Sequence, residues 1–350
     1  MGSESIRNVA LIGHSGAGKT SLAEAMLFIM GAVDRLGRVE EGNTASDYQK
    51  DEIERQFSIA ATPLFGTYSG CKINLIDTPG FPDFTTEVRG TLRVADSALL
   101  VVDALTGAEI GSELTWRYAQ ERDVPRALVI NRLDKEHASF DQALESAISL
   151  FGSGVIPLQF PLDEGVGFSK IVDLILNKML VYQSGQPKAK VEAIPAEVQD
   201  RARKMRKALM ETIAENDEAL VDLFCSQGEK LNDEQLLEGL KKGFISGNLF
   251  PVICAAAYVP IGVDRLLDLI SSVFPAPLQR PPVVGVRPDS TEEIKRTVSD
   301  ESTTAFVFKT VSEQHLGELS FFRVFSGEVR AGSDIFNATQ KNTEKVGQLY

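Results

Sequence analysis

The sequence predicts an α/β fold: a mostly parallel sheet with helices on both faces, interrupted by an α+β insertion and followed by the start of an all-β barrel domain. Three observations predict it. Short apolar runs alternate with amphipathic stretches through the first half of the 350 residues, as in a parallel sheet whose crossovers are helices. The alternation breaks at about 157 and resumes near 251. Behind a proline-rich stretch, β-type runs then follow one another between turn glycines.

Taken in order, the runs 9–12, 72–76, 98–102 and 127–130 read as buried strands, and 21–30, 86–94, 113–121 and 141–150 as helices. Residues 58–68 read as a further strand, antiparallel to the one at 72 through Ser69-Gly70. Within the insertion, 171–176 and 179–183 read as strands and 185–194 as a loop or edge strand. Residues 195–224 and 233–244 read as helices, the second capped by Asn232. The rhythm returns with a strand at 251–256 and an amphipathic helix at 263–273. Pro275, Pro277, Pro281, Pro282 and Pro288 form a connector. Beyond it 303–311, 319–325, 328–330 and 334–337 read as strands, split by Gly317, Gly327 and Gly332. The expected domains are 1–280, with its insertion at about 157–250, and 281–350, the first part of a β-barrel too short to close.

With a net charge of −13, nonspecific binding to a nucleic-acid backbone is not expected from bulk electrostatics, and no DNA partner is expected; a localised basic face stays open. Cys71, Cys225 and Cys254 have no metal-like spacing, and neither do His14, His137 and His315. Three sparse cysteines and no signal-like N-terminus lead to the expectation of reduced thiols in the cytoplasm. No run is long enough to span a bilayer, and no membrane partner is expected.

Three motifs carry chemistry. Gly13-His14-Ser15-Gly16-Ala17-Gly18-Lys19-Thr20 fits G-x-x-x-x-G-K-[ST] between a strand and a helix. Its glycines let backbone N–H groups converge on phosphate, and the helix turns its positive end toward the anion. Lys19 is expected on the β/γ-phosphates, and Thr20 on Mg²⁺. The second motif, Asp77-Thr78-Pro79-Gly80, closes the next strand. Asp77 suits an acid that holds Mg²⁺ through water, and Gly80 an N–H that approaches the γ-phosphate without a Cβ in the way. Alone this motif is an ordinary turn. In the third, Asn131-Arg132-Leu133-Asp134, the Asp134 carboxylate matches the paired donors of guanine, which adenine lacks. Asn131 would brace the loop and touch N7, and the stem of Arg132 would cover the base. The three together predict a GTP/GDP site with Mg²⁺. His14 lies in the phosphate loop, and local packing is preferred to catalysis for it.

These residues resemble the translational GTPases, most closely the elongation factor G branch, over nearly the whole chain. The stretch from Ser46-Asp47-Tyr48 through Glu52, Glu54-Arg55 and Ser58-Ile59 resembles the first switch, with Ser58 at the place of the threonine that ligates Mg²⁺. Phe81-Pro82-Asp83-Phe84 runs on from Gly80 as the second switch does. Cys254-Ala255-Ala256-Ala257, then Gly262-Val263, resembles the fifth nucleotide loop. The insertion lies where the family carries an extra subdomain, and Arg323-Val324-Phe325-Ser326-Gly327, with Gly332-Ser333 and Asn337, resembles its second, β-barrel domain. The resemblance implies GTP hydrolysis, a ribosomal partner, a monomer, and further domains beyond this chain.

The departures concern hydrolysis. Gly16 stands where an acid is usual, Ala256 where a serine is usual, and Phe81 where a histidine orients the attacking water. Among the candidate catalytic residues Lys19, Gly80 and Phe81, the last can neither donate nor accept a strong hydrogen bond. Phe81 reads either as a hydrophobic gate or as a catalytically silent replacement. The expectation is tight nucleotide binding with slow hydrolysis. Two other readings stay open: a ribosomal protection or release GTPase, and a GTP-dependent ribosome-binding regulator that barely hydrolyses. The basic cluster at 201–207 reads as a solvated helix face, with a contact to an acidic ribosomal protein or RNA as the alternative.

Overall fold

The computed structural model describes residues 2–216, 220–221, 232–287, 290–313 and 317–350. Cys225 and His315 lie outside them, as does part of the helix expected over 195–224. The chain divides into two compact units, Ser5–Pro275 and Ala276–Tyr350 with residues 2–4.

In chain order the first unit begins with β1 (Ile6–Ile12), α1 (Lys19–Ile29), α2 (Lys50–Arg55), β2 (Thr62–Tyr68) and β3 (Cys71–Asp77). There follow α3 (Thr85–Leu92), β4 (Ser97–Asp103), α4 (Ile110–Gln120), β5 (Arg126–Asn131), α5 (Phe140–Phe151) and β6 (Val155–Pro157). The insertion holds β7 (Gln159–Pro161), β8 (Lys170–Asp173), β9 (Lys178–Val181), β10 (Lys190–Glu192), α6 (Ala196–Ala214) and α7 (Asp233–Ile245). The unit closes with β11 (Phe250–Cys254) and α8 (Val263–Ser272).

Seven strands form one sheet in the order β2-β3-β1-β4-β5-β11-β6. All neighbours are parallel except β2, which returns on β3 through Ser69 and Gly70, both at positive φ. That pair of left-handed residues suits a two-residue hairpin. The middle strands are apolar on both faces because helices cover both: all residues of β4 and β5 are buried. From β1 the chain runs to β3 on one side and to β4 on the other, so the crevice for ligands opens at the carboxyl end of β1. The loops after β1, β3, β5 and β11 all emerge at that edge.

The insertion is a four-stranded antiparallel sheet, β10-β9-β8-β7, with α6 and α7. Asn232 caps α7 and shares a capping box with Gln235. The strand expected over 171–176 ends at Asp173, because the Asp173 carboxylate accepts from the Leu176 N–H and turns the chain. A buried polar chain ties this sheet to α8. Arg265 donates to Asp173 (3.1 Å), and the Tyr182 hydroxyl donates to Asp264 (2.7 Å). Gln159 donates to Asp173 and accepts from the Cys254 N–H. In α8, Val263, Leu266, Leu267 and Ile270 are fully buried at helical spacing. From the basic cluster, Arg201 pairs with Asp141 at 2.7 Å and Arg206 with Asp233 at 3.1 Å.

The second unit consists of three antiparallel pairs: β12 (Val283–Val286) with β13 (Glu293–Arg296), β14 (Thr304–Glu313) with β15 (Gly317–Ser326), and β16 (Asp334–Asn337) with β17 (Asn342–Lys345). Two expectations need correction. The proline-rich stretch contains β12, whose residues lie after Pro282 with their N–H groups intact. Residues 328–330 form no strand: Gly327 turns the chain at φ +65, and the Glu328 carbonyl accepts instead from the Thr303 hydroxyl.

Candidate nucleotide site

At the carboxyl edge of the large sheet lies a cavity of about 390 Å³. Ser15, Gly16, Gly18, Lys19 and Thr20 line it from the loop after β1, Gly80 and Phe81 from the loop after β3, Asn131 and Arg132 from the loop after β5, and Ala257 from the loop after β11. Ser58 reaches it from the long α1–β2 connection. Gly13, His14, Ala17, Asp77, Thr78, Pro79, Leu133, Asp134, Ala255 and Ala256 belong to the same loops without lining the cavity itself.

The loop from Gly13 to Thr20 is wound tightly around Lys19. Its ammonium donates to the carbonyls of Gly13 (3.1 Å) and His14 (2.8 Å). Burial lowers its pKa to about 8, against the pull of Asp77 and Asp47. A phosphate anion beside it would favour the charged form. His14 turns away: its ring packs on Gly111 of α4, with Nε2 3.6 Å from Glu109. Gly16 takes φ +80, which suits glycine and strains most other residues. Gly80 approaches so closely that an added Cβ would lie 2.5 Å from the Lys19 Nζ and 2.6 Å from the Ser15 N. Switch-loop backbone therefore rests directly on phosphate-loop backbone.

Oxygen atoms gather beside Thr20. The hydroxyls of Thr20 and Ser46 both donate to Asp77 Oδ2 at 2.7 Å, and the Thr20 and Ser58 hydroxyls are 3.0 Å apart. Asp77 Oδ1 and both oxygens of Asp47 are buried without a hydrogen-bond partner. Burial pushes Asp77 above the usual carboxylate range. It pushes Asp47 up to about 7, with Asp77 adding to the shift and the nearby Ser58 hydroxyl opposing it from outside hydrogen-bond geometry. Orphaned buried carboxylates are costly; a hard divalent cation with oxygen ligands would relieve them. Among the described residues no three His, Cys, Asp or Glu side chains could hold a metal by themselves. The donor set thus fits Mg²⁺ completed by phosphate oxygens, which Thr20 and Ser58 would ligate with Asp77 and Asp47 behind them.

The stretch 45–61 is held by three carboxylates, two of them from outside it. Glu24 on α1 accepts from the Ala45 N–H, Glu52 on α2 from those of Ile59 and Ala60, and Glu87 on α3 from that of Ala61. These carboxylates set where Ser46, Asp47 and Ser58 stand. Glu24 and Glu87 carry no motif of their own, so sequence reasoning passed over their roles; Ser46 was read only as part of the stretch, without its bond to Asp77. The ring of Phe57 meets that of Phe81 with centroids 4.6 Å apart, and Phe81 is 36% exposed. An aromatic pair, one ring from each switch, therefore stands at the cavity mouth.

The base-recognition end is built by Asn131. Its Nδ2 donates to the Ala17 carbonyl and its Oδ1 accepts from the Ala257 N–H, both at 3.0 Å. Ala255 donates to the Ile130 carbonyl, and Ala256 exchanges two backbone bonds with Ile261. The fifth loop therefore keeps its shape through backbone bonds with alanine in place of serine. Arg132, at φ +68, donates to Asp103 (2.6 Å) and to the Gly16 carbonyl (3.2 Å). Asp134 Oδ1 is buried with no partner, and Oδ2 lies 3.5 Å from Lys135. An acceptor so placed suits a ligand with paired N–H donors. Asn131→Ala would strand a carbonyl and an N–H in the interior. It is expected to lower the unfolding free energy by about 2 kcal/mol or more, read from urea denaturation.

The elongation factor Tu GTP binding domain model matches residues 4–276. The chain belongs to this family of GTPases. The elongation factor G domain 2 model matches residues 302–350. A crystal structure of a Thermus thermophilus protein superposes with a TM-score of 0.85 at 31% identity, over 99% of this chain and 48% of that one. This GTPase thus spans about half the length of that relative. The two models and the superposition make it an elongation-factor-G-like translational GTPase with a P-loop α/β domain and a β-rich segment after it. Among the described residues, no helix is long and apolar enough to cross a membrane.

Proposed function

We propose that this GTPase is the Mg-GTP switch of a ribosome-acting translation factor, and that it binds guanine nucleotide tightly and hydrolyses GTP slowly. The observation that carries the reading is the convergence of Lys19, Thr20 and Ser58 on one cavity, with Asp77 bonded behind Thr20 and Phe81 on the cavity lining. Lys19 would hold the β/γ-phosphates, and the backbone N–H groups of the phosphate loop would cradle them. Bound Mg²⁺ would supply charge neutralisation at those phosphates. Ser58 and Gly80 would sense the γ-phosphate, so that its loss relaxes both switches. Asp134 would select guanine, with Arg132 covering the base.

Hydrolysis needs a water placed in line with the leaving oxygen. Phe81 offers no donor or acceptor for that water, and its contact with Phe57 favours the gate reading, in which the pair limits water entry. Lys19 and the backbone then carry the chemistry. The deciding experiment is GTP turnover with and without ribosomes. Stimulation by ribosomes supports the enzyme; ribosome binding without stimulation supports the regulator that barely hydrolyses, the reading Phe81 and Gly16 favour. Metal removal gives a separate check. Chelation with EDTA is expected to weaken GTP binding at least about tenfold, seen in titrations with a fluorescent GTP analogue, because Asp47 and Asp77 then face the phosphates uncompensated.

A further inference from the structure

Tyr258 lies just beyond the fifth loop, and its ring is half-exposed at the edge of the nucleotide cavity. The Arg38 guanidinium stands over that ring, 3.7 Å from its centroid, and the Lys135 ammonium lies 4.6 Å from it. Arg38 comes from the connection that leads into the first switch. Its next residues, Val39 and Glu40, line the same cavity as Tyr258 and Lys135. Among the described residues Arg38 also pairs with Glu41 at 3.8 Å, and its buried Nη1 makes no hydrogen bond. The guanidinium is thus held by two contacts, the aromatic face of Tyr258 and the Glu41 carboxylate. Lys135 in turn lies 3.5 Å from Asp134.

We infer that Arg38 and Tyr258 form a clasp that retains the nucleotide, joining the first switch to the base-recognition end of the site. The inference rests on the nucleotide reading above. A cation held against an aromatic face is attracted by the ring quadrupole, more strongly when partly desolvated. While the contact stands, Val39 and Glu40 stay across the cavity, and nucleotide leaves only when it opens. The clasp also runs through Lys135 to Asp134, so the switch and the base reader share one set of contacts. Tyr258 and Arg38 are thus positioning residues that act on release.

Stopped-flow release of a fluorescent, non-hydrolysable GTP analogue from the whole chain tests this. Tyr258→Leu and Arg38→Gln are each expected to speed release about 3- to 30-fold. The double variant is expected to be no faster than the faster single one, since both remove one interaction. Tyr258→Phe keeps the ring and is expected to release at the parent rate. A parent-like rate in Arg38→Gln, or effects that multiply in the double variant, would overturn the clasp. Failure of the parent chain to bind the analogue at all would overturn the nucleotide reading instead.

Discussion

Phe81→His is expected to raise single-turnover GTP hydrolysis by roughly 10²–10⁴-fold, the usual contribution of a residue that orients or accepts a proton from the attacking water. The site is otherwise assembled for the reaction. Gly80 rests on the phosphate loop, Lys19 is buried within that loop on its Gly13 and His14 carbonyls, and Thr20 and Ser58 are in contact. What the second switch lacks is a polar group at position 81. Replacement also breaks the ring contact with Phe57, worth about 0.5–1.5 kcal/mol, so a small loss of switch stability accompanies the gain. Phe81→Ala separates the two readings of the phenylalanine. If the Phe57–Phe81 pair limits water entry, alanine alone speeds hydrolysis; if Phe81 is silent, alanine leaves the rate where it was. Rapid-quench measurement of phosphate release in the three proteins decides. Rates like those of an ordinary elongation factor G in the parent chain, with no gain in Phe81→His, would refute the slow-hydrolysis proposal.

Asp134→Ala is expected to weaken GDP binding by about 10²–10⁴-fold and to abolish preference over ADP. The carboxylate has one oxygen buried and unpartnered and the other only 3.5 Å from Lys135, so its acceptor capacity is held in reserve. Two hydrogen bonds to a charged acceptor contribute about 1.5–3 kcal/mol each, which converts to that range of affinity. The variant leaves the phosphate loop untouched, because Asn131 and not Asp134 braces it. Equilibrium titration with fluorescent GDP and ADP reads both effects. Retained guanine preference in Asp134→Ala would place base selection elsewhere.

Much of the large sheet was legible because its strands are buried on both faces. The apolar runs 9–12 of β1, 98–102 of β4 and 127–130 of β5 stand out because they are buried. Boundaries moved where a side chain outside the run decides them. The strand expected to 256 stops at Cys254: the Ala255 N–H still bonds to the Ile130 carbonyl of β5, but Ala256 pairs back with Ile261 and Ala257 donates to the Asn131 side chain, so the chain turns out of the sheet. In the second unit, β13 and β17 escaped notice because they are polar and mostly exposed, with no apolar alternation to betray them.

The motifs proposed to hold the ligand were legible in the sequence alone. The phosphate loop, Asp77–Gly80 and Asn131–Asp134 are each short and self-contained, and their spacing on successive strand ends brings them to one edge whatever the rest of the chain does. The setting of the first switch was decided only by tertiary structure. Ser46, Asp47 and Ser58 gather beside Thr20 and Asp77 because Glu24, Glu52 and Glu87 hold the backbone there. Arg38 meets Tyr258 only after the sheet brings the loop beyond β11 beside the α1–α2 connection. No local pattern encodes such contacts: a long polar loop has many conformations of similar energy, and distant acceptors select one.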